Sequence, residues 1–167
     1  MKILRNISLV FAVCGLLAAC ATTTTGTAGG DFGPVKGKVW QLLEVTSGSE
    51  IIFARSNMDK TMSDGFFTLQ FEDGRASGKG APNRFFGPYT AKTDGAITFG
   101  PAAATLMMGI YTPPGLSEHE FFGLLNRASG WKFDYAKMKT ESNYFTLYST
   151  DESGAKVTML FTEFDYR

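Results

Sequence analysis

Between Phe66 and Glu72 large apolar and polar side chains alternate, with Phe67, Leu69 and Phe71 on one face and Thr68 and Gln70 on the other, and the run ends at Asp73-Gly74. A period of two is that of a strand with one buried face, and Asp-Gly is a hairpin turn. The pattern recurs along the chain. Val39–Val45 and Ile51–Phe53 flank Thr46-Ser47-Gly48-Ser49, Arg75–Gly80 returns from Asp73-Gly74, and Phe86–Thr90 and Ala96–Phe99 flank Asp94-Gly95. Trp131–Tyr135, Tyr144–Thr150 and Val157–Phe161 close the chain, the last two joined through Asp151-Glu152-Ser153-Gly154. Short strands joined by tight turns form antiparallel sheets.

Only one segment reads clearly as a helix. Ser117 followed three residues later by Glu120 is a capping box, Phe121, Phe122, Leu124, Leu125 and Ala128 make an apolar stripe, and Gly130 ends it. Arg55–Asp64, with Met58 and Met62 four apart, reads as a loop in preference to one or two helical turns. Pro101–Gly109 is apolar without a clear period, and Thr112-Pro113-Pro114-Gly115 breaks any regular element. The fold class expected is α+β, a strongly curved antiparallel sheet of about eight strands packed on one main helix.

With 167 residues, 44% hydrophobic and 19% charged, the chain has material for a single core. Sixteen basic and sixteen acidic residues, without a basic run, leave no electrostatic footprint for a nucleic-acid backbone. One histidine and two cysteines are too few for an ordinary zinc site.

The start of the chain reads as an address. Lys2 and Arg5 precede an uncharged, largely apolar run to Ala19, which fits a secretory signal and is too short for a membrane span. Leu17-Ala18-Ala19-Cys20 resembles the lipobox of bacterial lipoproteins, which makes residues 1–19 a signal peptide and Cys20 the lipidated first residue. Several acyl chains together give stable anchoring. With Cys14 removed and Cys20 acylated, no thiol is left for a disulfide or a cysteine nucleophile. The remaining chain keeps 14 basic against 16 acidic residues, a net charge of −2. Residues 20–36, rich in Thr, Gly and Ala, are expected to be a flexible tether, and 37–167 the folded domain. Ala21 after the cysteine favours the outer membrane, facing the periplasm, in a host with two membranes.

Several segments together resemble the META domain. These are Trp40-Gln41-Leu42, Phe67–Phe71, Gly78-Lys79-Gly80-Ala81-Pro82-Asn83-Arg84-Phe85-Phe86-Gly87-Pro88-Tyr89, Thr105-Leu106-Met107-Met108 and the glutamate-led helix. The resemblance implies an envelope-facing domain with a curved antiparallel sheet and a helix, linked to heat-shock response, drug tolerance, motility and secretion, and no established reaction. Many members have one cysteine before the asparagine and another after the methionine motif. Pro82 and Gly109 stand there in this chain, so no cystine-dependent role carries over.

Chemistry is sparse elsewhere. His119 sits in the first helical turn and lacks a recognisable nucleophile motif to serve. Glu118 and Glu120 point about 200° apart on a helix and read as charges complementing its dipole. Gly78-Lys79-Gly80 lacks the ending and the following helix of a phosphate loop, and reads as a glycine-relaxed strand. Asn83–Tyr89 combines arginine, amide and aromatics, which are typical of interface hot spots. It equally suits a core role in which Phe85 or Phe86 and Tyr89 are buried and Asn83 bonds the local backbone. Lys79, Asn83, Arg84, Phe85 and Tyr89 are the candidate recognition surface.

The expectation is a noncatalytic lipid-anchored envelope protein, without cofactor or metal, that meets the bilayer through Cys20 and binds an envelope component or supports envelope integrity under stress. A carrier of small apolar ligands is the alternative, and an envelope hydrolase using carboxylates such as Asp134, Glu141 or Glu163 is the third reading.

Overall fold

The computed structural model describes residues 29–59, 65–107, 109, 112–135 and 142–165. Cys20, the segment read from the sequence as a signal peptide and Glu141 lie outside them, as does most of the segment between Met58 and Asp64. The strands are β1 (Val39–Ser47), β2 (Glu50–Ala54), β3 (Thr68–Glu72), β4 (Arg75–Lys79), β5 (Arg84–Ala91), β6 (Ile97–Phe99) and β7 (Ala103–Ala104). After the helix α1 (Glu118–Asn126) come β8 (Gly130–Asp134), β9 (Tyr144–Thr150) and β10 (Lys156–Phe164).

All pairings are antiparallel, in the order β6-β5-β4-β3-β1-β10-β9-β8, with β2 added to β1 and β7 to β5. β1 serves two neighbours on one side because it bends at a bulge between Leu42 and Glu44. Its first half pairs β3 and its second half β2. The sheet curls until its two ends meet: Ile97 N–H donates to the Ser129 carbonyl, Trp131 N–H to Gly95, and Ala96 bridges Gly130. The curved sheet expected from the alternation is thus a nearly closed barrel, which leaves few unpaired edges.

Phenylalanines fill the inside from two ends. Phe121 of α1 packs on Phe67 with ring centroids 5.0 Å apart, and Phe122 on Phe85 at 5.1 Å. Helix α1 starts as the sequence indicates: the Ser117 hydroxyl accepts from Glu120 N–H while the Glu120 carboxylate accepts from Ser117 N–H. The Ser149 hydroxyl donates to the Leu124 carbonyl and fixes the helix to β9.

The other end is closed by residues assigned above to the tether, and the boundary at residue 36 must be moved back. Phe32 is 8% exposed and Val35 fully buried. Phe32 stacks edge-on against Trp131 at 4.8 Å and Phe71 at 5.2 Å, while the Val35 carbonyl accepts from the Trp40 indole at 2.9 Å. A 3₁₀ turn over Gly33–Val35, with Gly33 N–H donating to the Asp31 carboxylate, sets both side chains inward. Composition hid this because two large apolar residues in a Gly- and Thr-rich stretch do not raise its average.

Candidate functional site

The β4–β5 connection, Gly80–Asn83, folds around one carboxylate. Glu118 Oε1 accepts from Ala81 N–H at 2.7 Å and Asn83 N–H at 2.6 Å, and its Oε2 accepts from Asn83 Nδ2 at 2.6 Å. The Ala81–Pro82 peptide is cis. Gly80 has to be glycine because a Cβ there would collide with this carboxylate, and a Cβ at Gly78 would strike the Thr68 carbonyl oxygen. The glycines around Lys79 therefore serve close packing, not a phosphate.

Asn83 is 7% exposed, and every hydrogen-bonding atom of its side chain is used. Nδ2 donates to Glu118 and to the Met107 carbonyl at 3.2 Å; Oδ1 accepts from Met107 N–H at 2.6 Å and from the Thr105 hydroxyl at 2.9 Å. Thr105 then bonds the backbone of Arg84, its hydroxyl accepting from Arg84 N–H at 3.1 Å and its own N–H donating to the Arg84 carbonyl at 3.0 Å. Two loops that lack regular structure are thereby fastened to each other and to the first turn of α1.

The five sequence-nominated residues divide in two. Phe85 and Tyr89 are buried, and burial pushes the Tyr89 hydroxyl above its usual range. With Asn83 also buried, these three are not an exposed recognition surface; they are the core and its polar fastening. Arg84 is exposed and Lys79 partly so. Lys79 and Arg84 stand directly opposite each other across β4 and β5 on the outward face. Lys79 lies over the Phe66 ring, and Arg75, on the same face, stacks on Phe86 at 4.4 Å. Among the described residues no carboxylate pairs with Arg75, Lys79 or Arg84. The three cations line a groove of about 490 Å³ together with Thr68, Gln70 and Ser77. Beside it, Leu106 is 98% exposed and Met107 62%.

The sequence reading missed both Glu118, taken as a dipole charge, and the exposed Leu106 and Met107. Nothing in one sequence announces a hydrogen bond across 35 residues. The spacing of Asn83 to the threonine–methionine motif was the available signal, and Asn83 bonds Thr105 and Met107 of that motif directly.

Elsewhere three carboxylates are held in their charged form. Burial raises the Glu163 carboxyl, but hydrogen bonds from Lys38 and Asn143 outweigh this and hold it below its usual value. Ser117 does the same for Glu120 and Ser153 for Asp151. Asp134 pairs with Lys132 at 2.7 Å. His119 is exposed. Among the described residues no group of three or more histidine, cysteine or carboxylate side chains is placed to hold a metal ion. An apolar cavity of about 160 Å³ lies between β5, β6 and α1, bordered by Phe85, Phe99, Phe122 and Leu125.

Comparison with curated proteins and with solved structures gave no significant match. A family model described as the META domain matches residues 33–161. That match starts inside the Gly33–Val35 turn and ends within β10, so it spans the barrel, the helix and the Asn83–Thr105–Glu118 fastening. The chain belongs to the META domain family.

Proposed function

We propose that this protein is a noncatalytic, lipid-anchored component of the cell envelope whose META domain binds another envelope component through the end of the barrel that carries Lys79 and Arg84. The observation behind this is the pairing of two like charges. Opposed cations on neighbouring strands destabilise a sheet, and among the described residues no carboxylate pairs with them. A surface that keeps such a pair beside a fully exposed leucine is suited to an anionic partner with an apolar element. Anchoring rests on the lipobox-like Leu17–Cys20 and the Cys20 acylation it implies. A role in envelope integrity or stress response follows from the family resemblance.

The carrier reading has weaker support: the apolar cavity beside α1 holds about 160 Å³, below the roughly 300–1,000 Å³ of ordinary small-molecule sites, and the larger clefts, about 490 Å³ along β4–β5 and about 940 Å³ between β2, α1 and the β9–β10 turn, are open and lined in part by charged side chains. A hydrolase reading calls for a carboxylic acid kept protonated near neutral pH, whereas Glu120, Asp151 and Glu163 are shifted the other way.

Photo-crosslinking in the native envelope from position 84, with the exposed position 156 as control, tests the recognition surface. A discrete adduct from 84 alone is expected. Equal or absent labelling at both positions would remove the surface. Labelled palmitate should enter the wild-type chain and not Cys20→Ser; incorporation into the variant would refute the anchor.

A further inference from the structure

We propose that the partner of the Lys79–Arg84 face is an anionic lipid bilayer: the domain lies with the outward face of β4 and β5 on the membrane and inserts Leu106 and Met107. This deepens the recognition reading above, and the local site itself does not depend on acylation of Cys20.

Four observations lead there. The sequence has no charged residue from Gly95 to Ser117, and the described residues of it that project at this end are aliphatic: Leu106 and Met107. Exposed aliphatic residues flanked by cations are the composition of segments that sit in the headgroup and acyl boundary. Secondly, the tip is held in place. Both Met107 backbone groups are bonded by Asn83, and Thr105 is bonded to Arg84, so little ordering entropy is lost when the tip enters lipid.

Thirdly, the cations are laid out along a face and not gathered around a point. Arg75 and Lys79 occupy the two ends of β4, about 13 Å apart at 3.3 Å per residue, with Arg84 opposite Lys79. A planar array of negative headgroups matches such a layout better than a single small anion. Cations at a membrane surface of this kind attract it without needing individual ion pairs.

Fourthly, the chain outside the described residues ends at a suitable place. Gly29 is seated against Thr93–Gly95, beyond the far end of β5, and only eight residues separate it from Cys20, nine steps along the chain. A flexible segment of that length spans about 15–18 Å on average. An anchor at Cys20 would join the domain at the Gly29 end of the β5 axis, opposite the aliphatic tip, which lets the β4–β5 face lie side-on to the bilayer. A contact that is weak in free solution becomes substantial when a tether makes it intramolecular.

The test uses the chain from residue 20 onward with Cys20→Ser, which contains the whole buried core described above, from Phe32 to Phe161. This chain has no thiol, so Leu106→Cys takes a single environment-sensitive dye. On phosphatidylglycerol–phosphatidylethanolamine vesicles its emission should shift to the blue, and on phosphatidylcholine vesicles it should not. The same dye at exposed Ile51 should stay unshifted on both. In vesicle flotation, Lys79→Gln with Arg84→Gln should lower partitioning roughly thirtyfold, as expected for two surface cations, and Leu106→Asp at least tenfold; Ile51→Asp should leave it unchanged. Buried Trp40 and Trp131 report by their emission that each variant is folded. Absence of binding to anionic vesicles, or binding that is indifferent to Leu106→Asp, would overturn the proposal. A protein adduct and no lipid adduct from position 84 in the envelope would also overturn it while leaving the recognition surface intact; no adduct at all would remove both.

Discussion

Replacing Glu118 with alanine removes the acceptor for three donors at once: Ala81 N–H, Asn83 N–H and Asn83 Nδ2. A hydrogen bond to a charged group contributes about 1.5–3 kcal/mol. Glu118 is partly exposed, so water recovers some of this, and the expected loss is about 3–4 kcal/mol, a large share of the roughly 5–15 kcal/mol that holds a typical domain together. Glu118→Gln should cost about half as much. Its carbonyl oxygen still accepts from the two backbone groups, while its amide nitrogen is set against Asn83 Nδ2, donor against donor. Asn83 cannot turn over to relieve this, because Oδ1 would lose Met107 N–H and the Thr105 hydroxyl. Urea unfolding followed by the emission of Trp40 and Trp131 measures both variants, and Asn83→Ala with the double variant closes a thermodynamic cycle. Because the two side chains share a bond, their effects should fall short of additivity by about 1–2 kcal/mol. A loss under about 1 kcal/mol for Glu118→Ala, equal losses for Ala and Gln, or strict additivity would each refute the idea that this carboxylate fastens the two loops.

Other consequences can be checked on the same purified chain. Asn83→Asp sets a second carboxylate 2.6 Å from Glu118, so the folded pair holds on to a proton; its stability should approach that of wild type only below about pH 4 and fall as the pH rises through the pair's titration, as read from urea midpoints. In the wild type, Glu120 and Glu163 have carboxyl groups shifted down from 4.5 by the fold. The stability they contribute is present above pH 4.5 and lost as the pH falls through their lowered values, so acid midpoints should drop there, and less steeply in Glu120→Gln. Ser117→Ala should cost about 1 kcal/mol through loss of the cap. Phe32→Ala should cost about 3–5 kcal/mol, and a chain starting at Gly37 should fail to give the blue-shifted tryptophan emission that a chain starting at Gly30 retains.

How much of this was readable beforehand depends on how local each cause is. The Asp73-Gly74 and Asp94-Gly95 turns and the Ser117–Glu120 box act within a few residues, and each appears in the structure where the pattern put it, whereas the alternating run is shorter than expected: β3 begins at Thr68, itself buried, and Phe67 precedes it with φ 51°. Barrel closure depends on Gly95 meeting Trp131 and Ile97 meeting Ser129 from distant parts of the chain, and no short window of sequence contains either pair. The same holds for Glu118, whose place in the first helical turn suggested a charge near the helix dipole when its partners lie 35 and 37 residues away. The recognition loop was half legible. Alternation along β5 turns Arg84 and Phe86 outward and Phe85 and Tyr89 inward, which the composition of Asn83–Tyr89, read as a group of hot-spot residues, does not distinguish. Phe32 was missed for the opposite reason, being a single aromatic in a segment whose average composition is that of a linker.

The polar and apolar features at this end of the barrel depend on each other. A loop such as Thr105–Met107, with no regular structure and an exposed leucine, would ordinarily collapse to bury that side chain, because its backbone has nothing better to bond. Asn83 removes this option by taking Met107 N–H and carbonyl together, and Glu118 fixes which way the Asn83 amide faces. The carboxylate that orients the amide comes from α1, whose Phe121 is fully buried against Phe67. Exposure of Leu106 is thus secured by the hydrophobic core through two hydrogen-bonded steps. A change at Glu118 should therefore reach the tip before it reaches the barrel. A dye at position 106 in the Glu118→Gln chain is expected to lose anisotropy at urea concentrations where Trp40 and Trp131 still report a folded interior. Simultaneous loss of both signals would show instead that the loop is held by the barrel directly and that Asn83 and Glu118 contribute only to overall stability.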